Sequence, residues 1–199
     1  MPRLVDHEQR RREITTAART VIAAGGLDAA TFQAVAAEAG ISVRLIQYYF
    51  GTKRDLMLAT HRAVVEDWGR GFEEALGALG PEASPREVIR AISLGLIPLN
   101  DVRHQDNLVF AAFHAANLTG NTVTSEEMMG PPRYLITSFT EQLRRDRPDE
   151  TDTRALELDA ELTVLAVTGI SQAILAGGTT RETAVELLDH LLDRVFTGK

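Results

Sequence analysis

This sequence predicts an all-α protein of about nine helices, and three observations predict it. Strand signals are nearly absent: there is no Asn-Gly or Asp-Gly turn and no clean apolar-polar alternation. Apolar residues recur instead at three- and four-residue spacing. Capping residues and Gly or Pro stops punctuate those stretches at intervals suited to helices. The 199 residues suit one medium domain or a small domain fused to a larger one, and an apolar content of 44% supports a real core.

The first helix is expected over about Asp6 to Ala24. Ile14, Ala17, Ala18, Val21 and Ile22 form its apolar stripe, and Gly25-Gly26 stop it. Thr31 caps a second helix, Phe32 to Ala39, which Gly40 ends. A short third helix covers roughly Val43 to Tyr49. Thr52 caps a long fourth from Lys53 to about Leu79. The segment Pro81–Pro85 separates the fourth and fifth helices. Ser84 caps the fifth, with Pro85 at its first position, and Pro98 breaks it after Ile97. Asp101 to Leu118 forms a sixth. Thr122 to Arg147 reads as helical but interrupted at Gly130-Pro131-Pro132. Thr151 to Ala176 is long and apolar, Gly177-Gly178 end it, and a last helix runs to about Phe196. The natural division is a head, residues 1–53, and a body, residues 54–199.

The net charge of −7 is unevenly spread. Residues 1–54 hold eight Lys/Arg and five Asp/Glu, a net of +3, so the remainder carries −10. A basic head on an acidic body aims one end at anions. There is no cysteine, which removes disulfide and thiolate chemistry and fits a cytoplasmic location. The polar, Arg-rich start, Met1 to Arg12, does not read as a secretory signal. No stretch reads as a membrane span, so no membrane partner is expected.

The second and third helices carry the functional signal. Ala36, Gly40 and Ile46 stand at the spacing of a helix-turn-helix. A small residue lets the helices cross closely, a glycine takes the left-handed turn, and an aliphatic residue fills the gap between them. Val35, Ala39, Ile41 and Ile46 supply the seam, while Ser42, Val43, Arg44, Gln47 and Tyr48 fall on the opposite face. That face suits the major groove. Arg44 can take a guanine edge or a phosphate, and Gln47 an adenine. Ser42, Tyr48 and Thr31 can bind phosphate oxygens, and Lys53 adds a charge at a helix start. Arg10, Arg11 and Arg12 read equally well as phosphate ligands or as a solvated charge run.

The run Gly40 to Leu56, with Thr31 and Ala34 to Gly40 before it, resembles the DNA-binding signature of the tetracycline-repressor (TetR) family. The resemblance covers residues 9–57. It implies a helical homodimer with an N-terminal DNA-binding unit and a C-terminal domain for a small-molecule effector and for dimerisation. It also implies DNA contacts at Thr31, Ser42, Arg44, Gln47, Tyr48, Tyr49 and Lys53. Gln47 stands where the family usually has an aromatic, and Arg44 where it often has a small residue or proline. Further on, Ile97-Pro98-Leu99-Asn100-Asp101, Arg103 and Val109 to Phe113 look like the ligand domain of the betaine-operon repressor subgroup.

The body offers two further faces. Ala166, Gly169, Ala173 and Ala176 make a small-residue stripe. Val185, Leu188, Leu192 and Val195 repeat like a heptad seam, with Leu187 and Leu191 as a second apolar edge. The two are expected to form a four-helix dimer interface. Trp68, Phe72, Leu96, Phe110, Phe113, His114, Tyr134 and Phe139 are candidates to line a ligand cavity. Trp68 and Tyr134 together suit a cation. Glu186, His190 and Asp193 share a helix face but read as solvated, so no metal site is expected. No GxGxxG, P-loop, GxSxG or HExxH pattern occurs, so neither cofactor nor catalysis is expected. The expected function is a ligand-responsive repressor of a palindromic operator. The alternative is a helical protein-interaction or ligand-binding module without DNA.

Overall fold

A computed structural model of the chain describes residues 2–118 and 125–197. Among the described residues there are nine helices and no strand. They are α1 (Pro2–Ala29), α2 (Phe32–Ala39), α3 (Val43–Phe50), α4 (Lys53–Leu79), α5 (Pro85–Leu96), α6 (Asp101–Leu118), α7 (Ser125–Asp146), α8 (Thr153–Leu175) and α9 (Arg181–Thr197). The all-α expectation holds, and most element ends fall within one or two residues of the sequence reading. Helix α1 begins earlier than expected, at Pro2, and kinks at Gly26, whose φ of 74° leaves the helical region. Helix α7 continues through Pro131 and Pro132, where a break was expected. The expected start of that helix at Thr122 lies outside the described residues.

The chain forms two compact units, Met1–Asp67 with Leu108–Ser125, and Trp68–Asn107 with Glu126–Lys199. The division therefore falls inside α4 and α6 rather than at residue 53. The first turns of α4 explain this, because Leu56, Met57, Leu58, Thr60, His61 and Val64 are all buried. His61 stacks on Phe110, with centroids 5.7 Å apart, and meets Phe113 edge-on at 5.1 Å. Cutting at residue 53 would expose that surface.

In the first unit α1 packs on α2, and α2 on α3. Ile14, Ala18 and Ile22 of α1, Val35 and Ala36 of α2, and Ile46 and Phe50 of α3 are buried. Arg19 of α1 pairs with Asp67 of α4 at 2.6 Å.

In the second unit α5, α8 and α9 pack on one another. Its core holds Ile89, Ile92, Ile97, Phe139, Leu143, Leu156, Ala160, Val167, Leu188 and Leu192. Arg90 of α5 grips Asp189 of α9 with two hydrogen bonds of 2.5 and 2.9 Å. That fork lowers the Asp189 carboxyl below its ordinary pKa and raises the Arg90 guanidinium. Helix α8 corrects one expectation: by length and composition it is long and apolar enough to cross a membrane. Here Leu156, Ala160, Val164 and Val167 are buried along one of its faces within the second unit.

Candidate nucleic-acid interface

The site grows from α2, a three-residue turn and α3. Thr31 starts α2 because its hydroxyl accepts a hydrogen bond from the Ala34 N–H at 3.1 Å, satisfying one orphan donor of the first turn. Gly40 ends it in the left-handed region, at φ 64° and ψ 32°. The Ile41 N–H then reaches back to the Ala36 carbonyl at 3.0 Å, and Gly40 N–H to Ala37 at 3.3 Å. This is the paired closure of a Schellman turn, which reverses the chain within two residues. Ser42 starts α3 by accepting from the Leu45 N–H at 3.3 Å.

The turn fixes which face of α3 is covered. Ile46 is wholly buried and Phe50 nearly so. Arg44 and Gln47 are exposed, and Tyr48 is 75% exposed. Arg44 makes no hydrogen bond or ion pair among the described residues, so its five donors stay available. Ser42 and Thr31 are exposed beside them. Each hydroxyl spends an acceptor lone pair on its cap and keeps its proton to donate outward. Val43 and Tyr49 are half-buried, and the Tyr49 ring lies edge-on to Tyr48 with centroids 5.3 Å apart. Lys53 is exposed, with its ammonium 3.5 Å from the Asp28 carbonyl. All eight residues expected at DNA thus lie within the first unit, six of them exposed and two half-buried.

Of the arginines in α1, Arg10 pairs with Glu13 at 2.6 Å and Arg12 is exposed. Arg11 is not a freely solvated charge. Its guanidinium donates to the Tyr49 carbonyl at 2.6 Å and lies 4.4 Å over the Phe50 ring. Sequence reasoning missed this contact because it joins residues 38 positions apart.

The residues expected to line a ligand cavity are divided between the two units. Phe110, Phe113 and His114 belong to the first unit; Trp68, Phe72, Leu96, Tyr134 and Phe139 belong to the second. Phe113 and Phe139 are wholly buried core, and Tyr134 is 69% exposed. An aromatic pointing to solvent does not close a cavity, so the Trp68–Tyr134 cation site is withdrawn. Phe72 packs against Gly95, where an added Cβ would come within 2.6 Å of the ring. Among the buried polar groups that sequence reasoning overlooked are His61 in the first unit and Ser93, Asn107, Thr163 and Ser171 in the second. The Ser93 hydroxyl is buried without a hydrogen-bond partner among the described residues. Asn107 and Ser171 instead bond the Leu96 carbonyl at the end of α5, at 3.1 and 3.4 Å.

The expected dimer face also changes. Leu188 and Leu192 are wholly buried in the core of their own unit, and Val195 packs against that core. No partner can reach the two leucines, so the heptad-like seam faces inward. Ala166, Ala173 and Val185 are half-buried, and Gly169 is exposed. On these two helices the exposed large apolar side chains are Leu158, Leu162 and Leu165 of α8, the last two 61% and 60% exposed, and Leu187 of α9. Leu158, Leu162, Leu165 and Gly169 stand four, three and four residues apart, one stripe of a helix.

Comparison with known proteins agrees with this architecture. A model of bacterial regulatory proteins of the tetR family matches residues 14–60. The chain is 30% identical over 115 residues to the transcriptional regulator PksA of Bacillus subtilis, covering 58% of this chain and 55% of PksA. It is 41% identical over 93 residues to the transcriptional regulator BetI of Brucella anthropi, covering 46% of each. The chain thus spans about half the length of the curated relatives it matches. A TetR-like transcriptional regulator from Rhodococcus sp. superposes with a TM-score of 0.74 over 96% of this chain and 97% of its own, at 22% identity. That likeness concerns the fold. Residues 14–60 of this chain thus match the bacterial regulatory proteins of the tetR family, on a chain with the fold of a TetR-like regulator.

Proposed function

We propose that this protein is a dimeric regulator of transcription that binds a palindromic operator through α3 and releases it when a small molecule binds the second unit. One observation carries the reading. Arg44, Gln47 and Tyr48 are exposed on one side of a short helix whose opposite side, at Ile46 and Phe50, is buried against the rest of the head. A buried seam with base-reading side chains turned outward is the arrangement a major-groove helix requires. Arg44 and Gln47 read bases; Thr31, Ser42, Tyr48, Tyr49 and Lys53 hold phosphates.

The dimer forms through the uncovered stripe on α8 and Leu187 on α9, a pairing of two helices from each subunit. Two recognition helices then stand one groove repeat, about 34–36 Å, or a groove-matched distance apart. Repression is the direction favoured, because a dimer seated on a promoter blocks polymerase without further contacts. The effector binds in the second unit and must favour the state that does not bind DNA. The reading is of a cytoplasmic binding protein, not an enzyme.

Selection of bound fragments from a genomic library by the purified protein tests this. The expected product is a set of fragments sharing an inverted repeat, bound with an affinity that falls steeply with salt, by about 0.9 log units per phosphate contact per decade. Recovery of unrelated fragments with no shared site would contradict it and leave the interaction-module alternative.

A further inference from the structure

We infer that Arg11 is a positioning residue for the recognition helix: it holds the last turn of α3 and does not contact DNA itself. The inference rests on the regulator reading and deepens it. Helix α3 has eight residues, too few to persist by local preference alone. Its first turn is held by the Ser42 cap and its middle by buried Ile46. The last turn must find partners for carbonyls that have none within the helix. Gly51 N–H takes the Gln47 carbonyl at 2.9 Å, and Thr52 N–H takes that of Phe50 at 2.7 Å. The Tyr49 carbonyl receives the Arg11 guanidinium at 2.6 Å.

The contact uses features only an arginine has. One N–H of the fork meets the carbonyl while the flat cation covers the Phe50 ring, 4.4 Å from its centroid. The charge also sits at the negative end of the α3 dipole, where it is favoured. His7 adds a second brace from α1, its ring 4.6 Å from that of Tyr49. Gln47 and Tyr48 lie in the turn so held, whereas Arg44 lies in the turn held by Ser42. Loss of the Arg11 clamp should therefore blur what Gln47 reads and spare what Arg44 reads.

The test compares wild type, Arg11→Lys, Arg11→Ala and Phe50→Leu on two duplexes of equal length, one carrying the selected site and one of random sequence. Affinity is measured across a series of salt concentrations. The expected result is that all three variants lose about tenfold or more of their preference for the selected site, a loss of the size one mismatched base pair causes. The slope of log affinity against log salt stays at its wild-type value. The base pairs at which discrimination falls coincide with those lost in Gln47→Ala. Arg11→Lys keeps the charge and the stem, so it decides the matter if Arg11→Ala does not fold. A slope smaller by about 0.9 per protomer in Arg11→Ala, with Arg11→Lys restoring affinity, would mean that Arg11 binds a phosphate and would overturn the inference. Unchanged preference in both Arg11 variants would also overturn it. A wild-type protein with no preference would defeat the regulator reading, and the positioning role with it.

Discussion

Two polar side chains, Arg44 and Ser93, stand out for lacking a hydrogen-bond partner among the described residues. Arg44 has no partner among the described residues, and its donors stay available. Ser93 is buried with no hydrogen-bond partner for its hydroxyl among the described residues, and that costs about 1–3 kcal/mol relative to a satisfied hydroxyl. Ser93→Ala should therefore leave stability unchanged or raise it by about 1 kcal/mol in denaturant unfolding; a loss of about 2 kcal/mol would show that the hydroxyl is satisfied after all. The Arg90–Asp189 fork works by pairing. Its carboxyl is lowered by hydrogen bonds from Arg90, so the unfolded chain binds its proton more readily than the folded one. The resulting stability is present above the ordinary aspartate value and is lost as pH falls through the lower folded value, below about pH 4. Both side chains are partly exposed, so solvent screening holds the effect to about 1 kcal/mol. Asp189→Asn should remove that increment at pH 7 and leave the two proteins nearly equal in acid. A gap that stays constant from pH 7 to acid would contradict this linkage. The outward placement of Arg44 and Gln47 was legible from helical spacing alone. The Arg11 contact was not, since no local pattern connects α1 to the end of α3.

At the scale of elements, caps and turns decided where helices begin and stop, and these were the most readable features. Thr31, Ser42, Ser84 and Gly40 each do what their residue type prefers. Gly40→Ala forces a Cβ into the left-handed region and should cost about 1–2 kcal/mol in unfolding experiments, with operator affinity falling alongside. No stability loss would mean that the turn is made differently. Helix α9 was harder to read, because its two apolar edges, Leu188–Leu192 and Leu187–Leu191, have the same period. Periodicity reports that a face is covered, not whether its own core or a partner covers it. The core took Leu188 and Leu192, where Ala184 and Leu143 are buried with them. The second half of helix α8 is apolar nearly all round, so periodicity there does not single out the exposed leucine stripe from the small residues beside it. Tyr134 failed as a cavity residue for a related reason: an aromatic on an amphipathic helix carries no sign of its direction.

At the scale of the whole molecule, two units share α4 and α6, so the division runs through both helices, after Asp67 and after Asn107, and not at the end of the head motif. Composition could not show that, since α4 is continuous from Lys53 to Leu79. The charge division could be read, with +3 in residues 1–54 against −10 in the rest. Assembly is the next level. Burying a leucine contributes about 1.5–3 kcal/mol, so Leu162→Glu with Leu165→Glu should leave a folded monomer by light scattering. Its operator affinity should fall by more than tenfold, because two half-sites can no longer be gripped together. A double variant that remains dimeric would move the interface elsewhere. The most direct test of the account as a whole is repeated site selection with Arg44→Ala and Lys53→Ala beside wild type. Arg44→Ala should relax the choice of one base pair in each half-site at a cost of about 1–3 kcal/mol, and Lys53→Ala should weaken all sequences alike. Equal losses on every sequence from both variants, or none from either, would contradict the claim that this face of α3 reads DNA.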